Sequence, residues 1–531
     1  MTQHQDLGRW MRDKAQRWAD VEIEVTGRAT TYGGLDAGSD RLARGLRALG
    51  VAPGESLCVM LPNCAEALDL WFASVKAGTV EVPVNTAYVG YLLRHIITTV
   101  QPAAFVCDES VLDNVVAAIR DAGPTIRHLV VRRSGGTGTG EDRARPELAG
   151  VAVHDLADLY LDGTTTADGP APHTRLVMFT SGTTGPSKGA AVGDGWCLTM
   201  ADKIIEVMSY GPSDRLYSMF QLFHGNSRFT TILPALSVGA GFVLDERFSA
   251  SRFWDICRAK DITAFSYLGA VIPMLWKQPA RDDDADNPVR IAFGLACPAD
   301  VWEPFEQRFG LHLVEGYGLT EVGLAICNQP GDSRLGSCGK PIDDSYEIEL
   351  HDEHDEPVPV GVAGECVLRP RRPGVLFNGY HNMPEATLQA FRNLWFHTGD
   401  RLRQDEDGYF YFVDRVKESM RRRGMNVSSW EVEQVVNGLD EVLESAAYGV
   451  PSELAEEEVM VAVVARPGQD VDPAAVVEHC RRNMAEFAVP RYVRVVAALP
   501  KTPTERVEKY RLKEEGVTPD TWDRTAAAVA S

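Results

Sequence analysis

No stretch of this 531-residue chain is apolar for long enough to span a bilayer, and its start, Met1 to Trp10, lacks the apolar core of a secretory signal. A membrane-spanning protein is therefore not expected, and a cytoplasmic one is. Positive charge is the scarcer sign, with 53 Lys and Arg against 75 Asp and Glu and a formal net charge of -22. General attraction to nucleic acid or to an anionic membrane surface is disfavoured, so an anionic ligand has to be gripped by local donors. Cysteine pairs are missing too: Cys58, Cys64, Cys107, Cys197, Cys257, Cys297, Cys327, Cys338, Cys366 and Cys480 are scattered, without Cys-x-x-Cys or metal-type histidine spacing. Reduced, mostly buried thiols are expected. No internal repeat of solenoid period is visible, and no Gly-x-x-x-x-Gly-Lys-Ser/Thr run, which removes the P-loop nucleoside triphosphatases.

What is present is a globular composition, 44% hydrophobic and 24% charged, at a length that calls for two or three domains. Leucines 35, 42, 46 and 49 predict a helix over 35–49, stopped by Gly50, and a second helix is predicted over 65–77, stopped by Gly78. Apolar runs at 57–61, 80–84 and 104–107 read as buried strands. This alternation predicts a layered α/β domain with a largely parallel sheet. Residues 132–145, rich in Gly, Ser and Thr, read as a surface loop. A boundary is expected at 414/415, after the strand-like run 408–414. Helical signals at 430–436 and 474–484 and a strand signal at 459–464 then predict a small α+β unit over 415–531, with 526–531 frayed.

The strongest local signal follows the strand-like Leu176-Val177-Met178. In Thr180-Ser181-Gly182-Thr183-Thr184-Gly185-Pro186-Ser187-Lys188-Gly189 the glycines let backbone N–H groups approach an anion, the hydroxyls add donors and Lys188 adds charge. That is a phosphate cradle. Asp282-Asp283-Asp284 suggests a metal site only superficially, since nothing spaces these carboxylates around one ion, and a solvated acidic loop is expected there.

The cradle resembles the signature of the adenylate-forming superfamily, which holds acyl- and aryl-CoA synthetases, luciferases and peptide-synthetase adenylation domains. Three further motifs match in family order. Glu315-Gly316-Tyr317-Gly318-Leu319-Thr320-Glu321 resembles the second nucleotide motif, which implies Tyr317 stacked on adenine, Thr320 at the α-phosphate, and Glu321 with Thr184 at Mg²⁺. Trp395-Phe396-His397-Thr398-Gly399-Asp400 resembles the motif whose aspartate, here Asp400, clamps the ribose hydroxyls. Asp414-Arg415-Val416-Lys417-Glu418 resembles the hinge, which puts Arg415 at the nucleotide and Lys417 at the pivot of a mobile small domain. The resemblance also implies Ala296 and Cys297 along the adenine, with Cys297 in place of the customary alanine, and His224 near the acyl carboxylate. Near the end the chain departs from the family: Pro500 to Lys509 places Glu505 and Arg506 where the pattern has Gly-Lys, so Arg506 or the nearby Lys509 is expected to serve as the adenylation cation. Arg421, Arg422 and Arg423 suit either an acceptor's phosphates or a solvated face.

Within the superfamily, Tyr411-Phe412-Val413-Asp414-Arg415, Asn426-Val427-Ser428 and Phe487-Ala488-Val489-Pro490 are most similar to crotonobetaine/carnitine and medium-chain acyl CoA ligases. The resemblance implies ATP-dependent conversion of an acid to an acyl-adenylate and then to an acyl-CoA thioester, with AMP and pyrophosphate released. ATP, Mg²⁺ and coenzyme A are the implied cofactors and a small-molecule acid the implied partner. Two alternatives stay open: activation of nitrite for diazotisation of an amine, which the altered lysine motif keeps in play, and a non-catalytic nucleotide-binding homologue. The acid and the oligomeric state are not readable from the sequence.

Overall fold

The computed structural model describes residues 6–123, 125–133, 146–163, 171–180, 187–268, 271–295, 297–415, 420–422, 425–427, 429–451, 457–484, 486, 488–502 and 507–529. The predicted helix over 65–77 forms as Ala65–Ala77 and ends at Gly78, whose φ of 76° suits a residue without a side chain. The helix predicted over 35–49 runs Tyr32–Ala48, starting earlier because the Thr31 hydroxyl caps it by accepting the Gly34 N–H at 3.1 Å. All ten cysteines are buried and unpaired by disulfides.

Two parallel-rich sheets make up the large part. The first places Ala152–Asp155, His128–Arg132, Ala104–Asp108, Ser56–Met60, Val80–Pro83, Leu176–Phe179 and Gly189–Val192 side by side, with only the last pair antiparallel. The second is parallel from His312–Leu319 through Ile291–Leu295, Ala264–Leu268, Arg215–Ser218 and Gly241–Leu244 to Glu22–Val25, with antiparallel edges. A third, antiparallel sheet is built on Trp395–Gln404, flanked by Ala363–Pro370 and Phe410–Arg415. The chain is thus α/β with a small α+β part. That part holds the strands Val442–Pro451, Glu457–Ala465, Tyr492–Val496 and Trp522–Asp523 and the helices Ser429–Asn437 and Pro473–Asn483.

Apolar packing separates the two parts. The core clusters of the first end at Phe410, and those of the second begin at Met420. We propose the division 1–414 and 415–531 on that separation, with the strand Phe410–Arg415 paired to the larger part. Two expectations need correction. Instead of fraying from 526, the backbone is helical over Arg524–Val529, an alanine-rich turn whose start is capped by Asp523 accepting the Thr525 N–H at 2.8 Å. The acidic run is not simply solvated either. Asp284 is buried against Arg308 at 2.6 Å, while Asp283 pairs with Arg281 at 2.8 Å, so local arginines neutralise the run. The loop expected over 132–145 lies outside the described residues from 134 on.

Candidate active site

In open parallel sheets ligands bind beyond the carboxyl ends of the strands, and the sequence-predicted residues fall there. Thr180 follows Leu176–Phe179, His224 follows Arg215–Ser218, Cys297 follows Ile291–Leu295, and Thr320 and Glu321 follow His312–Leu319. Between Tyr317 and Gly318 the last strand shifts register against Gly323–Cys327, a bulge that re-aims the side chains after it. Gly318 is needed there, because a methyl group on it would collide with the Gly323 carbonyl oxygen.

At the expected nucleoside end, three motifs meet. The Tyr317 hydroxyl donates to Asp400 Oδ2 at 2.9 Å, and the two residues are 6% and 2% exposed. Burial, then the Asp400 charge, holds the Tyr317 phenol well above its ordinary pKa, so it stays a donor. The backbone of Arg415 lies directly opposite Asp400 in the strand pairing. Asp400 itself follows Gly399, a strand residue at φ 72° whose N–H donates to Glu365 Oε1 at 3.0 Å while Glu365 Oε2 pairs with His397 at 3.0 Å. On the other side, Glu315 Oε2 accepts the Cys297 N–H at 3.2 Å, tying the expected adenine wall to the strand that carries Tyr317. Replacing alanine by Cys297 leaves this backbone bond intact.

At the expected phosphate end, Thr180 N–H and hydroxyl both donate to the Lys188 carbonyl, at 2.9 and 3.3 Å, closing the neck of the loop. Ser181, Gly182, Thr183, Thr184 and Gly185 within it lie outside the described residues, as do Ala296, Lys417 and Arg506. Lys188 Nζ stands 4.9 Å from the centre of the Tyr380 ring, and the Tyr380 hydroxyl donates to Glu321 Oε1 at 2.8 Å. Thr320 and Glu321 share the turn after the Tyr317 strand, with Glu321 only 7% exposed. Mg²⁺, which the resemblance implies, suits the Glu321 carboxylate, a hard oxygen ligand.

The turn from Phe223 to Asn226 lies beside the strand feeding the loop, since a methyl group on Gly225 would touch Met178 Sδ at 3.4 Å. Burial lowers the His224 pKa, so a neutral imidazole is offered rather than a fixed cation. One turn of π-helix follows over Ser227–Ile232, a form that concentrates at functional sites. Its Arg228 donates to the Leu222 carbonyl at 2.5 Å and grips Glu81 with two bonds of 2.7 and 2.6 Å, both side chains nearly without exposure.

Comparison with known proteins gives this geometry a lineage. The AMP-binding enzyme profile matches residues 9–381 and the AMP-binding enzyme C-terminal domain profile residues 431–506. The chain belongs to the AMP-binding enzyme family. A crotonobetaine/carnitine–CoA ligase of Salmonella paratyphi B is 29% identical over 502 residues, covering 92% of this chain and 93% of that one. Among solved structures, ATP-bound MatB from Rhodopseudomonas palustris is 25% identical with a TM-score of 0.80, covering 95% of this chain and 98% of that one. The fold also matches a benzoate CoA ligase from Burkholderia xenovorans at a TM-score of 0.82 and 22% identity, over 96% of this chain and 100% of that one. As a member of this family the chain is an ATP-dependent, AMP-forming ligase of the acyl-CoA synthetase type.

For an AMP-binding enzyme the small part adds two findings. Lys509 Nζ donates to Ser429 Oγ and pairs with Glu433, each at 2.9 Å, so in this conformation it fastens Lys509–Glu515 to the helix Ser429–Asn437. Arg422 is buried, pairs with Glu458 at 2.7 Å and donates to the Val489 carbonyl at 3.0 Å. That corrects the reading of Arg422 as solvated or as a phosphate ligand. Sequence reasoning also missed Tyr380, Glu365 and the Glu81–Arg228 pair. Only Tyr380 had a local signal, the Asn378-Gly379 pair before it, with Gly379 at φ 110°. The other partners lie far apart in sequence and meet only on folding.

Proposed function

We propose that this enzyme joins a small carboxylic acid to coenzyme A through an acyl-adenylate formed at this one site. Tyr317 would stack on adenine and Asp400 accept the ribose hydroxyls, with Arg415 beside them. Lys188, Thr320 and the loop from Thr180 to Gly185 would face the phosphates. Glu321 and Thr184 would hold Mg²⁺, which would supply the charge screening that lets one anion approach another. An oxygen of the acid attacks the α-phosphorus, the bond to pyrophosphate breaks, and pyrophosphate leaves with the electron pair. The thiolate of coenzyme A then attacks the acyl carbon and AMP leaves. His224, neutral, would donate one hydrogen bond to the acid, and Arg506 would supply the cation during adenylation. Rotation of 415–531 about Lys417 would then admit the pantetheine arm.

The observation that carries this reading is the Tyr317–Asp400 bond, which joins two motifs 83 residues apart at the carboxyl end of a parallel strand. Glu321 and Lys188, meeting across Tyr380, support the phosphate half. The test is pyrophosphate release over aliphatic acids, aromatic acids, and nitrite plus an aromatic amine, each with and without coenzyme A. Release with one class of acid, and thioester only with coenzyme A, is expected. Release with nitrite and amine alone would overturn the proposal in favour of diazotisation, and silence throughout would leave a binding protein.

A further inference from the structure

A short strap, Phe377 to His381, runs between the two halves of the phosphate end and is bonded to both. On one side the Phe377 N–H donates to the Glu321 carbonyl at 2.8 Å. On the other, the Asn378 N–H donates to the Ala191 carbonyl at 2.7 Å, the Ala191 N–H to the Gly379 carbonyl at 3.0 Å, and the His381 N–H to the Gly189 carbonyl at 2.8 Å. The strap therefore forms an extra strand-like pairing with Gly189–Val192, the segment that leaves the phosphate loop. Its centre is Tyr380, bridged to Ala190 in that pairing. The Tyr380 side chain reaches back, its hydroxyl donating to Glu321 Oε1 at 2.8 Å and its ring lying 4.9 Å from Lys188 Nζ.

We infer that Tyr380 is a positioning residue for Mg²⁺ and ATP, fixing the rotation of the Glu321 carboxylate through its hydroxyl and giving the Lys188 ammonium a defined place on its ring face. A carboxylate held by a donor at one oxygen turns a fixed edge to a metal, and such outer partners commonly change metal affinity by roughly tenfold to a hundredfold. An ammonium on an aromatic face is likewise attracted without being neutralised. The strap makes the arrangement rigid, because the main chain that carries Tyr380 is bonded to Glu321 itself and to Gly189, the residue that follows Lys188. This inference rests on the nucleotide reading above, with Glu321 at the metal.

The test is equilibrium ATP binding by calorimetry across a Mg²⁺ titration, in wild type, Tyr380→Phe, Glu321→Gln and the double variant. Phenylalanine keeps the ring and its packing, so the fold and the affinity for ATP in chelator should match wild type. The Mg²⁺ concentration at half-saturation should rise by roughly tenfold or more. In the Glu321→Gln background the same Tyr380→Phe change should have no further effect, since the hydroxyl acts through that carboxylate. Turnover should show the loss as a Mg²⁺-dependent rise in KM for ATP. An unchanged Mg²⁺ midpoint in Tyr380→Phe, or an equal shift in both backgrounds, overturns the inference alone. Mg²⁺-independent ATP binding by wild type would overturn the nucleotide reading and the inference with it.

Discussion

Replacing Tyr317 by Phe removes one hydroxyl and nothing else, and the consequence can be worked from the geometry. The lost bond is 2.9 Å long, ends on a carboxylate and is shielded from solvent at both ends. Hydrogen bonds to charged groups contribute about 1.5–3 kcal/mol. With an unfolding entropy of ~2.1 cal/mol/K per residue over roughly 400 residues, the Tm should fall by about 2–4 °C. The ribose effect is separate. Freed from Tyr317, the Asp400 carboxylate has to be ordered by the ligand, at about 0.5–1.5 kcal/mol for one side chain, which weakens ribose recognition by roughly two- to tenfold. Calorimetric affinities for ATP and 2′,3′-dideoxy-ATP distinguish this from general damage. Wild type should prefer ATP, and Tyr317→Phe should lose affinity for ATP while holding dideoxy-ATP unchanged, because the stacking ring remains. Equal losses for both nucleotides, or none for either, would refute the reasoning.

Other outcomes follow from the same contacts. Arg506→Ala should slow pyrophosphate release by roughly a hundredfold to a thousandfold, as loss of a preorganised donor does; Lys509→Ala, whose ammonium is held by Ser429 and Glu433, should slow it less and lower the urea midpoint instead. The reverse order would reassign the cation to Lys509. Glu81→Gln should cost about 3–5 kcal/mol in urea denaturation by stranding the buried Arg228 charge, and Glu81→Leu with Arg228→Met should recover most of that loss. Burial pushes the Glu365 carboxyl up, but its interactions with His397, the Gly399 N–H and Arg392 together outweigh burial and the net pKa is lowered. The stability margin of wild type over Glu365→Gln should hold above the unfolded value near 4.5 and shrink as pH falls through the lower folded one. Urea midpoints between pH 7 and 3 test this, and a margin flat to pH 3 would refute it.

Much of the fold was legible. The helix at 65–77 was readable from its apolar face and its glycine stop, and the strands at 57–61 and 104–107 from continuous apolar runs, because a strand buried on both faces needs no polar alternation. Misreadings came where distant charge decides the outcome. Asp284 and Arg422 look like solvated charges in sequence, yet each is buried because an arginine 24 residues away or a glutamate 36 residues away neutralises it. The chain end misled because terminal residues ordinarily fray, whereas the capping carboxylate of Asp523 is itself placed by a strand.

The sequence by itself determined the chemistry on offer: a loop rich in glycine and hydroxyls with one lysine, and an aromatic, a carboxylate and an arginine waiting downstream. Residue types, local turn conformations and element periods are properties of a few neighbouring residues, so they survive reading in one dimension. Tertiary structure alone decided which of those groups touch. Tyr317 meets Asp400, Tyr380 holds Glu321 beside Lys188, and Arg228 of the π-helical turn closes on Glu81 of the first sheet. Such pairings depend on strand order and register, which fix distances among residues far apart along the chain, and no local preference encodes them.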